Sequence, residues 1–346
     1  AASLLTDRLM EVLPYGANVH IFCGPGNNGG DGLVIARLLS FFPSVYSVWV
    51  FILGEEFRRS PAFVANLERL RAETKLQITQ INSEEDFPTI DLDNFVIDAL
   101  FGAGLKRPLS GLPAQLVCHI NSQQAHVFAV DIPSGLMGEN NSDANYSNCI
   151  RANQTFTFQF PKLAFFFSEN YLYVGKWEVI DIGLHPQGLA ITPSQFHYFE
   201  HSDAVKLLKP RPKFAHKGHF GHGLLIAGSY GMMGAAILGT RACLRSGVGL
   251  VSAHVPQKGY QIMQTSVPEA MLEIDDSELM FTSTSNCNRF SAMAVGPGLG
   301  TKLNTQRGVL NLLKICQTPL VVDADALNCL ALNLDKPWNF PPQTII

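Results

Sequence analysis

The sequence has few charges and no concentration of either sign. Charged residues make up 16% of 346 positions, and 25 Lys and Arg against 29 Asp and Glu leave a net charge of −4. Such a balance argues against partners such as nucleic acid or an anionic membrane, so a local loop must attract any phosphate. Long apolar runs are also missing. None approaches the ~18–20 residues that span a bilayer, and the greasy Leu163-Ala164-Phe165-Phe166-Phe167 is short. No Cys-x-x-Cys occurs. Cys23, Cys118, Cys149, Cys243, Cys287, Cys316 and Cys329 stand singly and are odd in number, which points to reduced thiols in a cytoplasmic compartment. No signal-peptide pattern opens the chain. Ala1 instead falls inside helical patterning, so an upstream segment is expected. Low-complexity tracts and short-period repeats are absent.

What is present is glycine at strand ends. Cys23-Gly24-Pro25-Gly26-Asn27-Asn28-Gly29-Gly30-Asp31-Gly32 follows the apolar Val19–Phe22 and precedes Leu33–Leu39. A glycine-dense strand-to-helix turn brings backbone N–H groups close to a ligand, and the helix dipole favours an anion there. Strands are expected at Asn18–Gly24, Val45–Leu53, Leu76–Ile81, Asn94–Leu100 and His126–Ile132. Helices are expected near Asp31–Phe42, Pro61–Glu73 and Gly111–Ser122. This alternation predicts a parallel sheet covered on both faces. Gln154–Phe160, Tyr171–Val174 and Trp177–Ile182 read as β-rich segments, with a linker near His185–Gly188 and Pro193. A second αβ pattern runs from Leu224–Ser229 through a small-residue helix, Gly234–Ser246, to Leu320-Val321-Val322. The chain is thus read as two α/β domains, 1–191 and 192–346.

Three strand ends carry polar tails: the first turn, Asp98–Gly104, and Asp131-Ile132-Pro133-Ser134-Gly135. In a doubly wound sheet such tails lie together on the carboxyl edge. Asn28, Asp98 and Ser134 would then offer hard oxygens with a single formal charge, which suits a weakly held monovalent cation. Asp98 and Ser134 also fit plain turn capping. Asp131 sits where a carboxyl can serve as general acid or base, although Asp before proline also starts turns. Lys106 and Arg107 are read as solvated or phosphate-touching. His216, His219 and His222 are spaced by three, yet no further ligand stands near, so the glycines at 218, 221 and 223 are read as a phosphate-side loop. Arg241 and Arg245 are expected to face solvent.

Gly24–Gly32, Asp98-Ala99-Leu100-Phe101-Gly102 and Val130–Gly135 together resemble the NAD(P)H-hydrate epimerase family, over roughly Ala1 to Ile191. The resemblance implies a Rossmann-like three-layer αβα fold. It implies binding of NADH and NADPH hydrates (NADHX and NADPHX) by Asn27, Asn28, Gly29, Gly30, Asp31, Gly102, Ala103, Gly104, Leu105, Lys106, Arg107, Pro108 and Asp131. Potassium would be held by Asn28, Asp98 and Ser134, and Asp131 would be the catalytic acid/base. His216–Gly221, Gly228 with Gly234-Ala235-Ala236, Gly296–Gly300 and Asp323–Asn328 resemble the ADP/ATP-dependent NAD(P)H-hydrate dehydratase family, of ribokinase-like α/β fold. That family places the hydrate near Ala235 and Gly298 and uses ADP or ATP with Mg2+.

The sequence stops at Gln343-Thr344-Ile345-Ile346, before the family's His-Pro-Gly-Glu stretch, its Lys-Gly nucleotide loop and its Gly-Asp turn. An incomplete second domain is therefore expected, with its dehydratase activity lost. A homo-oligomer acting on a small molecule, with neither nucleic acid nor membrane as partner, is the expected assembly. A ribokinase-class small-molecule kinase and a non-enzymatic nucleotide-binding protein remain open. An NAD dehydrogenase is disfavoured by the register of the first turn's glycines, and by the lack of a well-placed acid about twenty residues on.

Overall fold

A computed structural model describes all residues except 44, 55–57, 209 and 285–286. The chain divides into two compact units, Ala1–His197 and Tyr198–Ile346.

The first unit contains α1 (Ala2–Val12), β1 (Ala17–Cys23), α2 (Asn27–Leu39), β2 (Tyr46–Leu53), α3 (Pro61–Glu73), β3 (Ile78–Ile81), β4 (Phe95–Ala99), α4 (Leu112–Ser122), β5 (His126–Val130), β6 (Gln154–Phe158), α5 (Tyr171–Val174), β7 (Lys176–Ile180) and α6 (Pro186–Ile191). Its strands form one sheet in the order β3-β2-β1-β4-β5-β6-β7. Every neighbouring pair is parallel. Parallel strands need crossovers, and these cover both faces, so the strands read as apolar runs. Leu33, Leu39, Phe63 and Leu67 of α2 and α3 pack with Val19, Ile21, Val50 and Ile52 in one core. Leu116, Val117 and Ile120 of α4 pack with Phe22, Phe51 and Val96 in the other. Ile21 and Phe22 thus face opposite ways, as the two-residue period of a strand requires.

The second unit adds α7 (His201–Leu207), β8 (His222–Ile226), α8 (Met233–Ser246), β9 (Leu250–Val255), α9 (Tyr260–Ser266), β10 (Met271–Ile274), β11 (Ala292–Val295), α10 (Leu303–Ile315), β12 (Leu320–Val322) and α11 (Asp325–Ala331). Its parallel sheet runs β10-β9-β8-β11-β12. Ile345 forms a single bridge to Val321 on the outer side of β12.

Two sequence expectations need correction. Asn27–Gly30 belongs to the first turn of α2, not to the loop before it. Gly26 is the extended N-cap, and Gly30 N–H already reaches Gly26 O at 3.1 Å. Three glycines among its first six residues do not stop the helix, because tertiary packing outweighs propensity. Tyr171–Val174 is a short helix rather than β-like. Gly175, at φ +60°, ends it, and its Cα comes so close to the carbonyls of Ala152 and Asn153 that a Cβ could not fit. Among the described residues, no helix is long and apolar enough to cross a membrane.

Candidate functional site

The carboxyl ends of β1, β4 and β5 form one rim beside the point where strand order reverses, between β1 and β4. The β1–α2 turn reaches it through glycine. A Cβ on Gly24 would lie 1.8 Å from Leu100 O, and one on Gly29 would lie 1.7 Å from Gly24 O. Gly24, Gly26 and Gly29 do stand at Gly-x-Gly-x-x-Gly spacing. The expected difference in register from a dinucleotide-binding turn is therefore not there.

Asn28 is buried in the first turn of α2, and a Cβ on Gly102 would stand 3.3 Å from its amide oxygen. Phe101, next in line, donates its N–H to Ser134 Oγ at 2.9 Å. The Ser134 hydroxyl donates to Asp98 Oδ1 at 2.6 Å, and the Ser134 N–H donates to Oδ2 at 2.7 Å. Asp98 also accepts from Leu100 N–H at 3.2 Å, so the capping reading holds beside the site reading. Asp98 is wholly buried. Desolvation pushes its carboxyl up to about 6, against hydrogen bonds from Ser134 and Leu100 that favour the charged form.

Asp131 ends β5 in the left-handed region, at φ +67°. A non-glycine residue there is strained and persists only where its surroundings hold it. Its N–H bonds Phe156 O at 2.8 Å. Oδ2 accepts from Ala103 N–H at 3.3 Å. Oδ1 faces Thr157 Oγ1 and Phe158 N–H, each at 3.4 Å, and Lys162 Nζ at 2.9 Å. Asp31, on α2, is pushed up to about 6, chiefly by burial and in smaller part by the Asp131 charge. The rim thus gathers Asn28, Gly102, Ala103, Asp98, Ser134, Asp131 and Asp31. Asn27 is exposed, as are Gly104, Lys106, Arg107 and Pro108 further along the second loop, while Leu105 packs toward the α4-side core. Sequence reasoning missed Lys162. The only signal was a lone cation in the otherwise apolar Phe160-Pro161-Lys162-Leu163.

This donor set suits a monovalent cation. Asp98 supplies one negative charge with neutral donors around it, and Asn28 and Ser134 supply neutral oxygens. The buried Asn28 Nδ2, which has no hydrogen-bond partner among the described residues, is a donor and calls for an acceptor.

In the second unit Ala235 and Gly298 also meet at the strand-order reversal, between β8 and β11. Gly298, at φ +69°, lies where a Cβ would stand 2.7 Å from Ala235 Cβ. Gly228 N–H bonds Pro297 O at 2.8 Å, Ser229 Oγ donates to Gly298 O at 2.8 Å, and Gly300 N–H donates to Asp325 Oδ2 at 2.8 Å. A cavity of about 290 Å³ opens beside this loop, lined by Tyr230, Gly231, Gly234 and Lys258 among others. His216 and His219 stack at 3.9 Å, and His222 Nε2 lies 3.0 Å from Ser252 Oγ. Among the described residues no three His, Cys, Asp or Glu side chains cluster to hold a metal ion.

Residues 1–164 match the family described as YjeF-related protein N-terminus, and residues 223–344 match the NAD(P)H-hydrate dehydratase family. A bifunctional NAD(P)H-hydrate repair enzyme from Moorella thermoacetica is 35% identical over 90% of this chain and 60% of its own. Its counterpart from Thermofilum pendens is 34% identical over 92% of this chain and 61% of its own. The chain thus spans about 60% of the length of these curated relatives. A solved structure of the ADP/ATP-dependent NAD(P)H-hydrate dehydratase from Bacillus subtilis is 28% identical over 36% of this chain and 45% of its own, with a TM-score of 0.32. Because the dehydratase match runs through most of the second unit, the expected loss of that activity finds no support. Carrying both matches in one sequence, the chain is similar to the bifunctional NAD(P)H-hydrate repair enzymes.

Proposed function

We propose that the first unit interconverts the R and S hydrates of NADH and NADPH. The observation that carries this reading is the meeting of Asn28, Asp98, Ser134 and Asp131, drawn from three strand ends, at one rim. Free N–H groups at the start of α2 and the Gly102–Pro108 loop would receive the pyrophosphate. Potassium would be held by Asn28, Asp98 and Ser134, supplying a fixed positive charge near the phosphates.

In the hydrate, the hydroxyl sits on a ring carbon next to nitrogen. Asp131 gives that hydroxyl a proton as the C–O bond breaks, and the nitrogen lone pair closes to a C=N bond, leaving water and a cationic ring. Water then adds to the other face and returns one proton to Asp131, so no atom or electron is gained or lost overall. Asp131 is fit for this role because its carboxyl is fixed from several sides yet remains at the rim.

The second unit is proposed to take the S hydrate near Ala235 and Gly298 for nucleotide-dependent dehydration. This rests on the family match and on the loop geometry around those two residues. A reducing, cytoplasmic setting is supported by the seven unpaired cysteines. The test is incubation of the chain with pure R-NADHX in potassium buffer. Formation of S-NADHX well above the buffer rate is expected, and a rate equal to buffer refutes the epimerase reading.

A further inference from the structure

Lys162 stands outside every motif that points to the site, yet it is built into it. It lies between β6 and α5, in the last fifth of the first unit, and its side chain is only 19% exposed. Its ammonium lies 2.9 Å from Asp131 Oδ1, 3.3 Å from Phe158 O and 3.4 Å from Phe160 O. An ammonium has three N–H donors and no acceptor, and here three protein oxygens surround it. The two carbonyls fix the nitrogen, and the nitrogen fixes the carboxylate.

We propose that Lys162 is a positioning residue for the epimerase site, locking the strained Asp131 so that Oδ1 is turned inward and Oδ2 is left as the oxygen that meets the substrate. The inference rests on the epimerase reading above and deepens it. Oδ1 is taken by Lys162, Thr157 and Phe158. Oδ2 has the N–H of Ala103, and Ala103 is exposed on the loop assigned to the hydrate. The left-handed backbone of Asp131 stores strain that would relax if the carboxylate were released. Lys162 holds it from the neighbouring β6 connection, as a charge-assisted hydrogen bond can.

Charge matters as well as aim. The charge of Asp31, on α2, is unfavourable to that of Asp131. Lys162 is the cation in contact with Asp131 and offsets that repulsion.

The experiment compares Lys162→Gln and Lys162→Arg with the wild-type chain, using R-NADHX and measuring kcat and KM separately. The Gln variant is expected to lose about a hundredfold in kcat with KM within threefold of wild type. The Arg variant, which keeps the charge and the carbonyl contacts, should recover at least tenfold of that loss. Wild-type kcat in the Gln variant would overturn the proposal, as would a loss confined to KM. If the Gln variant does not fold, the Arg variant decides: at least a tenth of wild-type kcat supports the proposal, and a folded, inactive Arg variant overturns it. A wild-type chain without epimerase activity refutes the parent reading instead, so the two failures are distinguishable.

Discussion

At the scale of single residues, the carboxyls of Asp131 and Asp31 make opposite demands on their surroundings. Asp131 is compensated by Lys162. Asp31 lies half-buried, and desolvation holds it up at about 6. The pH consequence of Asp31 follows from linkage. Its folded value lies above the unfolded carboxyl's ~3.9, so the native state binds the proton more tightly. The resulting stabilisation is full below pH ~4 and is lost as pH rises through about 6. Contact with water reduces the penalty to about 1 kcal/mol. In urea titrations at pH 4 and pH 7, the stability of wild type relative to Asp31→Asn should fall by about that amount. An unchanged difference would remove the burial argument. For Asp131, replacement by Asn should lower kcat for R-NADHX epimerisation by about 10² to 10⁴ with little change in KM, and normal turnover would end its assigned role. The sequence made Asn28, Asp98, Ser134 and Asp131 visible because each lies at or just beyond the end of an apolar run, with glycine or proline within a few residues, the punctuation of a strand end. Lys162 carried no such punctuation. Its meaning comes from a partner on another strand, a pairing that only the folded sheet creates.

At the scale of elements, the close packing of the β1–α2 turn matters more than its flexibility. Gly29 packs onto Gly24, Gly24 packs onto Leu100, and a Cβ on Gly32 would lie 2.6 Å from Ala99 Cβ. Three helix or turn positions thus touch backbone or strand with no room for a methyl group. Gly29→Ala should cost at least about 2 kcal/mol, the scale of overpacking in a tight core. Because Gly29 follows Asn28, it should also displace the Asn28 amide. Denaturant unfolding and epimerase rate together check this: a stable, fully active variant would contradict the packing. The same tightness explains why the start of α2 was misplaced in the sequence reading. Glycines normally mark a loop, and only contacts from β4 disclose that they are helical. Tyr171–Val174 misled for another reason. Four aromatic and branched residues have no period long enough to tell helix from strand.

At the scale of the molecule, two parallel sheets with the same order around their first strand, 3-2-1-4-5, each place a glycine loop and a polar strand end at the reversal point. Alternation of apolar runs and helical patterns made that architecture legible, since a parallel sheet needs a crossover after each strand. The two units have separate cores, with α2, α3 and α4 cores in the first and α8 and α10 cores in the second. The cation expected at Asn28, Asp98 and Ser134 should therefore act on one unit. A ligand that binds only the native state adds RT ln(1 + [L]/Kd), about 2.7 kcal/mol at one hundred times Kd. Trp49 and Trp177 lie in the first unit and Trp338 in the second. Replacing Trp338 by Phe confines the tryptophan signal to the first unit of the full chain. In that variant, potassium should raise the fluorescence midpoint of thermal unfolding, and choline chloride at equal ionic strength should not. Adding Asp98→Asn should abolish the difference between the two salts, because it removes the site's one formal charge. An equal shift with both salts would mean general screening, and would take the cation out of the proposed site.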